Sequence, residues 1–202
     1  MSSKKPEKGA AKPAAKPAAK LAEKPAAKPA AKAGVGHVTR WIKDEADVKG
    51  SSEKWIKKFK AGNFSGDNID DVLLFFGAMA EFGLINKNYR DSVDDAILQY
   101  GEIAQFFEVR NTNIKVVMIQ NEKDRMLGIY EGSWKDVQAE GKWKNPIFVE
   151  MVPEAMKQIM AGNANTDSYF FKGDLTVQGP IKLAVIGREW VTTYYEENGI
   201  DT

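Results

Sequence analysis

The side chains able to do nucleophilic, acid–base or metal chemistry are few in this sequence. Cysteine is absent and histidine occurs once, at His37. Disulfides, thiolate ligands, cysteine nucleophiles, a histidine-based triad and a multi-histidine metal site are therefore excluded. The redox compartment stays open. The carboxylates closest in sequence are the adjacent pairs Asp70/Asp71, Asp94/Asp95 and Glu196/Glu197. Neighbours on a helix point about 100° apart, so such pairs suit solvated faces better than shared acid–base work. Gly34-Val35-Gly36 has no preceding strand and lacks the third glycine of a phosphate-binding turn. No catalytic residue, metal site or cofactor is expected, and the chain does not read as an enzyme.

The apolar inventory is richer. Met151, Met156 and Met160 crowd one strand–helix junction, and phenylalanine comes in doublets at Phe75-Phe76, Phe106-Phe107 and Phe170-Phe171. Such residues build ordinary cores. They also build adaptable pockets, because Met and Phe re-pack around ligands of varied shape.

These residues sit in a chain of two unlike parts. The total of 29 basic against 28 acidic residues gives a formal charge of +1. Residues 1–33 hold nine lysines and two glutamates, a net +7, which leaves residues 34–202 at −6. The first part repeats Ala-Ala-Lys-Pro, with prolines at 13, 17, 25 and 29. An interior proline costs a helix about 3 kcal/mol, so this tail reads as an extended, disordered segment. Three readings suit it: a tether or contact arm for an acidic protein, a nucleic-acid contact, or a contact with an anionic membrane. It carries no aromatic residue for base stacking. Lys/Ala/Pro repeats of this kind resemble linker-histone-like tails and some granule-coating proteins.

Residues 34–202 are enough for one domain, burying roughly 70% of their unfolded surface. No apolar run approaches the roughly 20 residues that span a bilayer, and no apolar segment of a secretory signal follows the basic N-terminus. A soluble, cytoplasmic protein is expected. Helices are expected over Trp41–Asp47, from Ser51 to Lys60, and from a cap at Asp67 through Ala80. A further helix starts near Asp91-Ser92, its stripe of Val93, Ile97, Tyr100, Ala104 and Phe107 following helical spacing. Strands are expected at Ile114–Gln120 and Met126–Glu131, joined as a hairpin, and at Val137–Trp143, Pro146–Val152 and Asp174–Gln178. A short helix Glu154–Ala161 begins after Pro153, and a final one runs from Pro180 to about Asn198. Helices, a mostly antiparallel sheet, then helices make an α+β fold.

One segment carries a family pattern. Residues 147–161, IFVEMVPEAMKQIMA, run from strand into helix and are followed by Gly162-Asn163-Ala164-Asn165. Then come Tyr169-Phe170-Phe171-Lys172-Gly173-Asp174-Leu175-Thr176-Val177-Gln178-Gly179 and Ile181-Lys182-Leu183-Ala184. Gly173 and Gly179 bracket a short strand, where turns need free φ or close approach. This pattern resembles the sterol carrier protein-2 family of nonspecific lipid-transfer proteins over roughly residues 90–190, with residues 34–88 as added N-terminal helices. The resemblance implies a five-stranded sheet with helices on one face, enclosing an apolar tunnel for a sterol, fatty acid, acyl-CoA or phospholipid. It implies a carrier rather than a catalyst, or an accessory subunit presenting a hydrophobic substrate to a partner enzyme. The expected tunnel lining is Phe106, Phe107, Met118, Phe148, Met151, Met156, Met160, Phe170, Phe171 and Trp190. The sequence departs from animal members of the family by ending Gly199-Ile200-Asp201-Thr202 rather than in a peroxisomal signal.

Overall fold

The computed structural model describes residues 38–201 apart from 43, 44, 123, 124, 164 and 165. The basic tail and His37 lie outside the described residues, and so do the readings placed on them. In chain order the elements begin with β1 (Val38–Ile42), α1 (Glu45–Val48), α2 (Ser51–Lys60), α3 (Ile69–Ile85) and α4 (Lys87–Tyr100). Three strands follow, β2 (Ile103–Val109), β3 (Lys115–Gln120) and β4 (Arg125–Tyr130), then α5 (Trp134–Gly141) and β5 (Pro146–Met151). The chain closes with α6 (Pro153–Met160), α7 (Asp167–Lys172), β6 (Leu175–Gln178) and α8 (Ile181–Glu197).

The strands form one sheet in the order β1-β4-β3-β2-β5-β6. It is a mixed sheet: β2 runs parallel to β5, whereas the other described ladders are antiparallel. The parallel pair needs a long crossover, supplied by β3, β4 and α5. The expected five strands become six through two gains and one loss. Trp41-Ile42, expected to open a helix, pair with Gly128 and Leu127 as the end of β1. Ile103–Val109, expected to continue a helix, is the central strand β2. Gly101 stops α4 at φ 83, a conformation that resists other residues, and Ala104 and Phe107 fitted helical spacing only because β2, buried on both faces, is apolar along most of its length. In the other direction, Val137–Trp143 is not a strand. Ser133 caps α5 by accepting from the Lys135 N–H, and the helix packs Val137 and Trp134 toward the sheet.

Helices therefore cover both sheet faces rather than one. One face carries Ile103, Val116, Leu127, Ile147, Val149, Met151 and Leu175 against α2, α3, α4, α6 and α8. The other carries Ala104, Phe106, Val117, Ile119, Tyr130 and Phe148 beneath α5. Burial on both sides explains why β2 is apolar along most of its length.

The caps refine the helix starts. Asn68 rather than Asp67 caps α3, its Oδ1 accepting from the Asp70 and Asp71 N–H groups at 2.9 and 3.3 Å. Asn86 caps α4 and begins it ahead of Asp91. At α2 the cap comes from another helix: Glu81 of α3 accepts from the N–H groups of Gly50 and Ser52, each at 2.7 Å. Asp71 corrects the solvated-face reading of its pair. It is 3% exposed, ion-paired with Lys58, and accepts from the Ser65 N–H at 2.9 Å. The brackets of β6 are as expected: Gly173 has φ 76 and Gly179 φ 112. Among the described residues no helix is long and apolar enough to cross a membrane.

Candidate functional site

Between the multi-helix layer and the sheet lies a cavity of about 420 Å³, within the roughly 300–1,000 Å³ typical of small-molecule sites. Its floor is the sheet, where Gln105, Phe107, Met118, Ile147, Val149, Met151, Leu175 and Val177 share one face. Phe75, Phe76 and Met79 of α3 and Tyr89 of α4 cover it, and Met156 and Ile159 of α6 form one side. Along α8 the wall is Ala184, Gly187, Trp190 and Val191. Of the helices expected as additions, α3 thus contributes directly to the lining.

The rim differs from the interior. Phe170 and Phe171 of α7 and Ile181 and Val185 of α8 line the cavity, yet are 46%, 85%, 61% and 42% exposed. Large apolar side chains in water around an apolar cavity mark its opening, here between α7 and α8. Arg188 and Asp167 join these two helices by an ion pair of 3.3 Å at the rim. Exposed pairs of this kind contribute little to stability. Deeper in, the described lining residues carry no charged side chain, and burial raises the Tyr89 phenol well above its ordinary range against the opposing pull of Arg125. Among the described residues no cluster of His, Asp and Glu could hold a metal ion.

Seven of the residues expected to line a tunnel meet in this cavity: Phe107, Met118, Met151, Met156, Phe170, Phe171 and Trp190. Three do not. Phe106 and Phe148 are register partners on the opposite sheet face. There Phe148 stacks on Trp134 with ring centroids 5.0 Å apart, and Phe106 meets Tyr130 edge-on at 5.6 Å. Period-two geometry forces this, since a Phe-Phe doublet on a strand sends one ring to each face. Met160 lies one turn beyond Met156, fully buried, with its carbonyl accepting from the Tyr195 hydroxyl.

Solved structures that this chain resembles include two sterol carrier domains. One is a UbiJ-SCP2 ubiquinone synthesis protein, 12% identical, with a TM-score of 0.41, covering 60% of this chain and 91% of its own. The other is sterol carrier protein 2 from Yarrowia lipolytica in its apo form, 16% identical, with a TM-score of 0.41, covering 62% of this chain and 91% of its own. No family model matches the chain, and no curated protein matches it.

Sequence reasoning missed Phe75, Phe76 and Met79 as lining residues, although the doublet and its helical spacing were visible. It also missed Gln105. A signal existed: one polar residue occupies a core-facing position in Ile103-Ala104-Gln105-Phe106-Phe107. Reading that stretch as helix hid the alternation.

Proposed function

We propose that this chain binds a hydrophobic molecule in the cavity and carries or presents it, without catalysing its conversion. One observation carries the reading: an apolar cavity of about 420 Å³ whose exposed rim is Phe170, Phe171, Ile181 and Val185. The sterol-carrier-like pattern over residues 169–184 supports it, because those residues build the rim helix, the edge strand and the start of α8. In this reading the cavity serves as the tunnel, and residues 34–202 act as one carrier domain.

The energetics suit a carrier. Each buried methylene contributes about 0.8 kcal/mol, so a ten-carbon chain gains roughly 8 kcal/mol gross. Association and ordering costs offset much of this, leaving an affinity near the micromolar range. With no charge in the deep wall, shape and apolar area dominate selection, and exchange stays fast. Titration of the full-length protein with a fluorescent fatty acid tests the reading, with saturable one-site binding expected. Native mass spectrometry of freshly purified protein should also show a co-purifying hydrophobic ligand. Absence of saturable binding for fatty acid and for neutral amphiphiles alike would overturn it.

A further inference from the structure

Gln105 is 5% exposed and lies in the cavity wall on the central strand β2. Its register partners are apolar, Met118 on β3 and Ile147 on β5. Among the described residues no group hydrogen-bonds its carboxamide. The amide is nonetheless not sealed in protein, since among the described residues no buried side-chain nitrogen or oxygen lacks both a partner and access to space. Its polar end therefore faces the cavity. Against the amide stands Gly187 of α8, where a Cβ would come within 3.3 Å of Gln105 Nε2. Glycine in mid-helix costs roughly 1 kcal/mol relative to alanine, and here it leaves room for the amide.

Tyr89 of α4 also lines the cavity. Its ring packs against Trp190 at 5.4 Å, three residues along α8 from Gly187. Its hydroxyl likewise has no hydrogen-bond partner among the described residues.

We infer that Gln105 is the polar anchor of the cavity, selecting hydrophobic molecules that carry a neutral hydroxyl or carbonyl on the end that enters first. This rests on the carrier reading and narrows it to a ligand class. In the empty cavity, water can satisfy the amide. A wholly apolar guest displaces that water and leaves the amide unpaired, which weakens its binding. A hydroxyl or carbonyl restores the bonds, because the carboxamide both donates and accepts. A carboxylate would be buried with no cation beside it and is disfavoured at this depth. Arg188 stands at the rim instead, so a fatty acid binds in the opposite sense, with its carboxylate outward.

The test displaces anilinonaphthalene sulfonate from the full-length protein with decanol and with chlorodecane, in the wild type and in Gln105→Met. In the wild type decanol should bind more tightly than chlorodecane. Gln105→Met should weaken decanol roughly tenfold, the equivalent of about 1.4 kcal/mol, and tighten chlorodecane several-fold, because no amide is left unpaired when it binds. Its thermal midpoint should not fall, since the amide that is replaced makes no hydrogen bond to the described protein. A fallen midpoint with unchanged ligand preference identifies Gln105 as structural and overturns the inference. Gly187→Ala is the second variant, because alanine strengthens the helix while crowding Nε2. It too should weaken decanol selectively. Unchanged decanol affinity in both variants, with the dye still displaced, overturns the anchor and leaves the carrier reading standing. If the wild type binds neither dye nor competitor, the carrier reading falls and the anchor with it.

Discussion

The indole Nε1 of Trp55 donates to the phenol oxygen of Tyr195 over 2.9 Å, joining helices 140 residues apart in sequence. The same Tyr195 hydroxyl donates to the Met160 carbonyl, so one oxygen ties α2, α6 and α8 together. All three side chains are fully buried. Two of these helices, α6 and α8, wall the cavity.

Tyr195→Phe removes that oxygen and leaves both the Trp55 N–H and the Met160 carbonyl without it. The expected loss is about 1–3 kcal/mol of unfolding free energy. Urea denaturation followed by circular dichroism measures it, and Trp55→Phe in a double-mutant cycle should show strong coupling. Additive single and double variants would mean that the two residues act independently.

Stability should fall in alkali through the buried tyrosines. Burial pushes Tyr194 from its ordinary 10.0 up to about 12, against the opposing effect of its hydrogen bond with Ser52. Burial also holds Tyr89, Tyr130 and Tyr195 above the ordinary range. The fold favours the protonated phenol, so this stability is intact below the unfolded pKa of 10.0 and is lost as pH rises through about 12. Each such tyrosine then contributes a slope of up to roughly 1.4 kcal/mol per pH unit. Phenolate absorbance from these residues should appear together with loss of helical signal. Ionisation near pH 10 in a still-folded protein contradicts the assignment.

Ala184 lines the cavity from α8. Ala184→Phe should place a ring in the ligand space, lower affinity for neutral amphiphiles at least tenfold, and change the thermal midpoint little. Retained affinity would place the bound molecule elsewhere.

Gly179→Ala should be severely destabilising. Its φ is 112, and an added Cβ would lie 2.3 Å from the Pro146 carbonyl oxygen. Relief requires β6 to move off β5, at a cost of roughly 3 kcal/mol or more. A loss below about 1 kcal/mol in urea titration would show that the edge strand is not held there.

Glu81→Gln keeps the shape of the side chain that caps α2 but removes its charge. The two 2.7 Å bonds from Gly50 and Ser52 should weaken, lowering stability by about 1 kcal/mol. An unchanged urea midpoint would show that the carboxylate adds nothing to the cap.

Several elements were legible because local chemistry agreed with the fold. Pro153 starts α6, Gly173 and Gly179 bracket β6, and Ile114–Gln120 with Met126–Glu131 reads as strand from β-branched and apolar residues around a polar turn. Two stretches misled for opposite reasons. Ala104 and Phe107 satisfy a helical spacing although they lie on opposite faces of a strand buried on both sides, and the positive φ of Gly101 separates α4 from β2. Val137 and Trp143 suggest a strand, but the Ser133 cap and the shelter of the second sheet face make that stretch α5.

By itself the sequence determined the inventory: no cysteine, a single histidine, clustered Met and Phe, and a basic tail preceding an acidic body. Those residue types supply many apolar side chains and few groups for nucleophilic or metal chemistry, whatever the chain's path. Tertiary structure decided which side chains share that pocket. Strand parity sends Phe107 into the cavity and Phe106 away from it. The parallel β2–β5 register sets Phe148 beside Phe106 on the opposite face. Gln105 becomes the polar point of an apolar wall only because Met118, Ile147 and the bare face of Gly187 surround it. These are contacts between residues far apart in the chain, and no local pattern encodes them.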